Sequence, residues 1–271
     1  MNNELEVITK TYPATQNKLH AYAIGDVHVG SPQFNEKAIK KKIDIIKNDE
    51  LACLCLLGDL GDFALRNSRS NIYQATMQPK EQVDYIYSLF YDVRDKIVCA
   101  VSGNHEERLI REGGGIDPLL TLCCRWGCEE VYRENMGIIK LAFGSIKGNV
   151  TGKVQQNVFY GLCIHGSTKR KNHVFQLGVE GCDFGFSAHV HEPMYKPNGK
   201  IRVSRESGQA HHVPYKEVVV DANLSIGGYG VKHQHEIPAP PELQYLELYT
   251  YRDNTNKRAL HRVINYHTIQ I

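Results

Sequence analysis

Five short polar motifs, each at the end of an apolar run, constrain this chain more than anything else in it. In order they are Asp26-Val27-His28, Gly58-Asp59-Leu60-Gly61-Asp62, Gly103-Asn104-His105-Glu106, His165-Gly166 and His189-Val190-His191. The runs leading into them read as strands: Lys18 to Gly25, Leu51 to Leu57, Lys96 to Val101, Val158 to Ile164 and Phe184 to Ala188. Any fold that satisfies this pattern must bring the ends of those strands to one rim.

The segments between supply the rest of a layered core. Glu36 to Asn48 has Ala38, Ile39, Ile43 and Ile46 at helical spacing, and Lys40 to Lys42 read as its solvated face. Lys80 to Asp95 repeats the pattern with Val83, Ile86, Tyr87 and Phe90. Asp117-Pro118 is a good N-cap and first-turn pair for a helix running to Trp126. Beyond it, Val131–Tyr132, Ile138–Phe143, Ile201–Ser204 and Glu217–Val220 add short strands. Residues 223–241, rich in glycine and proline, read as a surface loop or an active-site flap. Leu243 to Ile271 predicts one or two more strands. Strand–helix alternation followed by strands places the chain in the α/β class, α+β by some schemes. Without a linker or repeat it reads as a single domain, 1–271, with 222–271 as a C-terminal extension of that domain.

Composition narrows the class of protein. With 42% hydrophobic residues, the core needs no staple, and a net charge of +2 neither requires nor excludes nucleic acid. Cys53, Cys55, Cys99 and Cys163 lie inside apolar runs, while Cys123, Cys124 and Cys128 lack the paired spacing of a zinc knuckle. No stretch reads as a signal peptide or a bilayer span. A cytoplasmic protein in a reducing compartment, without membrane attachment, is the expectation; protein partners stay open.

The motifs hold three aspartates, an asparagine and five histidines. Asp26 and His28, two apart in a loop leaving a strand, can point into one cleft. Asp59 has two oxygens with which to bridge two ions, Asn104 offers a carbonyl oxygen, and His165, His189 and His191 offer imidazole nitrogens. Mixed nitrogen and oxygen donors suit borderline ions such as Mn2+, Fe2+ or Zn2+ better than calcium; two divalent ions are expected, Mn2+ foremost, with Fe2+, Zn2+ or Ni2+ as alternatives. Two such ions would leave the site net positive, ready to attract a phosphate and to lower the pKa of a water.

The series D-x-H, G-D-x-x-D, G-N-H-E, H-G and A-H-x-H resembles the calcineurin-like metallophosphoesterase superfamily, from Asp26 to His191. The resemblance implies a four-layer αββα sandwich, two facing mixed β-sheets flanked by helices. It implies Asp26, His28, Asp59 and His191 on one metal, and Asp59, Asn104, His165 and His189 on the other. His105 would then be catalytic, a cationic imidazole that protonates the leaving oxygen, with Asp62 orienting it. One residue departs from the pattern: Ala188 stands where the family has glycine before its last H-x-H, which matters only if that position needs a positive φ.

Arg108 and Arg111 follow the third motif and are candidates for phosphate contacts; Gly113 to Gly115 read as a mobile segment beyond them. Lys169 to Lys171 read as a solvated loop or a phosphate contact, and His211-His212 as surface residues. After Asp62 come Phe63 and Ala64 rather than the arginine-glycine pair of protein serine/threonine phosphatases. The expected activity is hydrolysis of a phosphomonoester or phosphodiester, small molecule or nucleic acid, by in-line attack of a hydroxide bridging two metals. A repair-type DNA exonuclease or endonuclease is the alternative, and a non-catalytic metal-binding module comes third.

Overall fold

Three nearly continuous apolar segments, β2 (Lys18–Ile24), β3 (Ala52–Leu56) and β4 (Ile97–Val101), are buried on both faces and pair in parallel. Burial of both faces is what such runs require, because neither side carries enough polar groups to meet water. The structure, a computed structural model, describes residues 6–66, 68, 71–146, 155–166, 179–225, 240–252 and 260–271.

Two six-stranded mixed sheets face each other. The one holding β2 to β4 continues through β5 (Tyr132–Arg133) on one side and the hairpin β11 (Glu242–Arg252) and β12 (Leu260–Gln270) on the other, in the order β12-β11-β2-β3-β4-β5. The second runs β1-β6-β7-β8-β10-β9. Its strands are β1 (Ile8–Thr11), β6 (Met136–Ile146), β7 (Gln155–Ile164), β8 (Phe184–Ser187), β9 (Met194–Val203) and β10 (Ala210–Val219). This is the α/β sandwich expected. Phe143, Phe159, Phe184 and Phe186 of the second sheet and Leu54, Leu56, Val98 and Ala100 of the first all belong to one buried cluster. Burying each such phenylalanine contributes about 1.5–3 kcal/mol.

The helices fall between β2 and β5: α1 (Glu36–Asn48), α2 (Pro79–Phe90), α3 (Asn104–Glu112) and α4 (Pro118–Trp126). Asn35 caps α1 through the Ala38 N–H, and Asp117 caps α4 through the Leu120 N–H. Gly127, at φ 74°, ends α4 in a left-handed turn. The helix predicted over Lys80–Asp95 ends as α at Phe90 and tightens into a 3-10 turn over Tyr91–Lys96. No helix among the described residues is long and apolar enough to cross a membrane.

One surface expectation fails. Lys40 is exposed and pairs with Glu36, but Lys42 is buried, with Nζ 3.2 Å from Asp221 Oδ2. Position 42 falls on the apolar stripe, between Ile39 and Ile46, so its helical phase overrides its residue type.

Candidate metal centre

All the motif residues leave the carboxyl ends of strands. Asp26 and His28 follow β2, Asp59 follows β3, Asn104 follows β4, His165 follows β7, and His189 and His191 follow β8. The loops after β2 and β3 are laced together by their backbones. Asp26 N–H donates to Gly58 O (3.1 Å), and Val27 and His28 N–H both donate to Asp59 O (2.9 and 3.0 Å). Among the described residues, six that are not glycine have positive φ: Asp26 (48°), His28 (50°), Asp59 (50°), Phe63 (41°), His189 (73°) and His191 (57°). Five of these are candidate ligands. Each such backbone costs about 1–3 kcal/mol and persists only where its surroundings over-determine it. The close approach also demands glycine at two positions. A Cβ on Gly58 would lie 2.2 Å from Gly103 N, and one on Gly103 would lie 2.2 Å from Asp59 Oδ1.

The side chains gather into adjoining groups. Asp26, His28 and His191 present donor atoms within 4.8 Å of one another, and so do Asp59, His165 and His189. In the first group His191 Nε2 is 3.4 Å from Asp26 Oδ1 and 3.3 Å from His28 Nε2. In the second, His165 Nε2 is 3.3 Å from Asp59 Oδ2, 3.0 Å from His189 Nδ1 and 3.1 Å from Asn104 Oδ1. Asn104 therefore belongs to the second group. Each group draws on both sheets, and Asp59 of the second also comes within 4.8 Å of His28 of the first.

Three observations fit this donor set to divalent cations. Asp26 Oδ1 is buried and accepts no hydrogen bond, while Asp26 Oδ2 is held at 2.6 Å by the His189 N–H. His165 Nδ1 donates to Leu57 O at 2.6 Å, which orients the ring so that Nε2 faces Asp59, the atom an ion would take in place of the proton. The electrostatics also call for positive charge. Burial pushes His165 down, but the facing Asp59 carboxylate outweighs it and raises the imidazole to about 10. Burial likewise opposes ionised Asp59, yet the surrounding histidines hold it well below the usual carboxylate range. His28 is raised in spite of burial by its bond to Asp26 and the charge of Asp59. His189 is lowered, by burial and then by His165.

His105 sits where the groups meet. Its N–H donates to Asp59 Oδ1 (2.8 Å), and its Nδ1 donates to the Asp62 main-chain O (2.6 Å), with the Asp62 carboxylate farther off at 3.5 Å. Asp62 thus contacts the ring chiefly through its backbone rather than through its acid. His105 Nε2 lies 3.7 Å from Asp59 Oδ2, and His28, Asp59 and His105 form a third group with donor atoms within 4.8 Å. Burial, reinforced by the charges of His28 and Arg108, lowers His105 to about 4 against the pull of Asp59.

The two arginines part company. Arg108 reaches His105 electrostatically, and its Nη1 is buried without a hydrogen-bond partner. Arg111 is exposed and ion-paired with Glu107 on the surface of α3. His211 and His212 are exposed on β10. Lys169 to Lys171 and most of the 223–241 segment (226–239) lie outside the described residues.

Sequence reasoning gave Glu106 no role. It is buried, and its carboxylate accepts from Asp59 N (2.7 Å), Leu60 N (2.8 Å) and Gly103 N (2.9 Å). It ties the loop after β3 to the start of α3. Burial and the nearby Asp59 raise it to about 7. The one available signal was its place at the third position of α3, where a glutamate reaches back to the N-cap N–H. Ala188 keeps an ordinary negative φ, so the departure from glycine costs nothing there. Room for its methyl comes from Gly25, where a Cβ would lie 2.8 Å from Ala188 Cβ.

Among the solved structures that resemble the chain, three illustrate the low sequence identity. Vps29 of Chaetomium thermophilum is 12% identical, covering 93% of this chain and 97% of that one, with a TM-score of 0.36. The same protein in complex with the cyclic peptide RT-D3 is 9% identical over the same shares, with a TM-score of 0.34. GAP50 of Plasmodium, described as the anchor in the inner membrane complex, is 9% identical, covering 92% and 89%, with a TM-score of 0.36. No curated protein matches the chain in sequence. The calcineurin-like phosphoesterase profile matches residues 19–219, from the start of β2 to the end of β10 and across every motif of the site. The chain belongs to the calcineurin-like phosphoesterase family.

Proposed function

We propose that the protein is a metal-dependent phosphoester hydrolase acting on a phosphomonoester or phosphodiester. The reading is carried by the two adjoining donor groups, Asp26/His28/His191 and Asp59/His165/His189, in which Asp26 Oδ1, buried and accepting no hydrogen bond, faces His191 Nε2 at 3.4 Å. Asn104 joins the second group through His165. When bound, two divalent ions would supply Lewis acidity and a lowered water pKa; Mn2+ is the ion proposed, with Fe2+, Zn2+ and Ni2+ as alternatives that the same nitrogen and oxygen donors accept.

The chain's own residues do the rest. Arg108 brings a guanidinium with an uncommitted nitrogen toward His105, where a phosphate oxygen can complete it. Negative charge arriving there also opposes the lowering of His105 and favours the cationic ring, the form that can protonate a leaving oxygen. The Asp62 carbonyl fixes Nδ1 as a donor, so Nε2 is the atom that meets substrate. The strained loops hold these groups in place beforehand, so no reorganisation is required at the moment of reaction.

The test is hydrolysis of bis-p-nitrophenyl phosphate with added Mn2+. Asp59→Asn and His189→Ala should each abolish turnover and bound metal; undiminished metal-dependent hydrolysis in either would falsify the reading. His105→Ala should lower turnover and retain both metals, whereas loss of metal would make His105 a ligand through the third group.

A further inference from the structure

The way α4 stops decides what the three cysteines at its end can do. Gly127 N–H donates to Cys124 O (3.1 Å) and Cys128 N–H donates to Cys123 O (2.9 Å). In this paired closure of a left-handed helix ending, the chain folds back over the last turn. The side chain just past the glycine then meets the one five positions before it, most often as an apolar contact. Here both partners in that contact, Cys123 and Cys128, are cysteines.

Packing alone would make them two small apolar side chains. Their sulfurs go further. The Cys123 S–H hydrogen-bonds the Cys128 sulfur, which lowers Cys128 from the ordinary thiol range although burial opposes it. The same bond, and then burial, push Cys123 well above that range. The pair is therefore unequal. Cys128 reaches solvent, at 8% exposure, and is the better thiolate; Cys123 is wholly buried and holds its proton. Cys124, next to it in sequence, is exposed and turns instead to Glu129, with Sγ 3.4 Å from Oε2. Cys163 likewise hydrogen-bonds Cys55 and Cys99, but those three are wholly buried in the core, where no reagent reaches them.

We infer that Cys123 and Cys128 form a thiol–disulfide exchange site, at which a low-molecular-weight disulfide is reduced and an intramolecular cystine closes across the turn. In the first step the Cys128 thiolate attacks one sulfur of the reagent, so that a mixed disulfide forms and one reagent thiolate leaves. In the second, Cys123 gives up its proton and attacks the Cys128 sulfur, closing the cystine and expelling the other reagent thiolate. Two protein thiols are oxidised, and the reagent departs as two thiols carrying their two hydrogens. Capping Cys128 removes the anion that held the Cys123 proton, so the first step prepares the second. The backbone bonds of the turn already bring the two residues together, which a cystine requires. The site is independent of the metal centre and of the hydrolase reading.

The sequence around the turn makes the test direct. Arg125 puts Cys123 and Cys128 on separate tryptic peptides, 112–125 and 126–133, and Trp126, the single tryptophan of the chain, lies between them. Reduced, folded full-length protein is equilibrated with oxidised and reduced glutathione in graded ratio, quenched in acid, alkylated, and read by intact mass and tryptic map. As the ratio rises the parent should lose two hydrogens with the two peptides joined, and Trp126 emission should change over the same range. Dithiothreitol should reverse both. Cys124→Ser should join the same peptides, which assigns the bond to Cys123. Cys123→Ser should stop at the mixed disulfide, with glutathione on Cys128. Peptides that stay separate at every ratio, joining that Cys124→Ser abolishes, or joining that needs urea to unfold the protein each overturn the proposal. The parent and Cys124→Ser decide the matter even if Cys123→Ser does not fold.

Discussion

At the scale of single residues, the site depends on groups that touch no substrate. Glu106 satisfies three buried N–H groups with two oxygens, Oε2 taking Asp59 and Gly103 and Oε1 taking Leu60. Glutamine has the same shape but one acceptor oxygen, so its NH2 must confront an N–H. Glu106→Gln should therefore destabilise by about 1–3 kcal/mol, and Glu106→Ala by more, because every orphaned buried donor keeps its desolvation penalty. Urea midpoints measure this, and reduced metal content should accompany it, since Asp59 loses its backbone anchor. The Gly25–Ala188 contact is a second case. Gly25→Ala places a methyl 2.8 Å from Ala188 Cβ and 3.1 Å from Leu57 Cβ, an overpacking of about 1–3 kcal/mol. Ala188→Gly should be mild alone, yet in combination it should recover part of the loss. Simple additivity in that cycle would mean the two methyls do not compete for the same space.

Elements show why some of the structure could be read beforehand and some could not. β2, β3 and β4 announced themselves because burial on both faces requires apolar side chains throughout. Caps at Asp117 and Gly127 bounded α4 for equally local reasons. Helix α3 stayed hidden because Asn104–Glu112 has only Leu109 and Ile110 as apolar residues, too few to draw a stripe. The hairpin β9–β10 is far longer than the short strands predicted. Pro197, Gly199 and Pro214 look like breakers, but β9 is an edge strand, and β8 pairs only with Lys216–Val219 of β10. Neither proline therefore breaks a ladder. At the site, the strand-end motifs were visible, whereas Glu106 was not, since its partners are backbone groups distant in sequence. Lys42 was misread because charge suggested solvent while phase dictated burial. Burial lowers Lys42 and raises Asp221, each toward its neutral form, although their attraction opposes this. Lys42→Met leaves the buried Asp221 carboxylate without its cation, with the Glu242 N–H (3.1 Å) still donating to it, which should cost about 3–5 kcal/mol by chemical denaturation. Asp221→Asn added to it should return much of that loss. The pair joins α1 to the segment where Asn223 N–H donates to Asp26 O (2.9 Å), so the single variant should also weaken metal retention.

For the whole molecule, the centre is a joint between two sheets. Asp26, His28, Asp59 and Asn104 hang from one sheet, and His165, His189 and His191 from the other, so neither donor group is complete within a single sheet. Unfolding that separates the sheets must destroy both groups, and an ion bound to the folded protein then stabilises the entire sandwich. At a free ion concentration a hundredfold above Kd, mass action supplies about 2.7 kcal/mol. For a chain of this size each kcal/mol moves the melting temperature by about 2–4 °C, so saturating Mn2+ should raise Tm by roughly 5–10 °C. A chelator should reverse the rise. Asp59→Asn and His189→Ala should remove it, since each breaks the same group from opposite sheets. Arg111→Ala, on the exposed face of α3, should keep it in full. A rise of equal size in Asp59→Asn would mean that the ion binds outside this joint, and that the strained loops hold their form for some other reason.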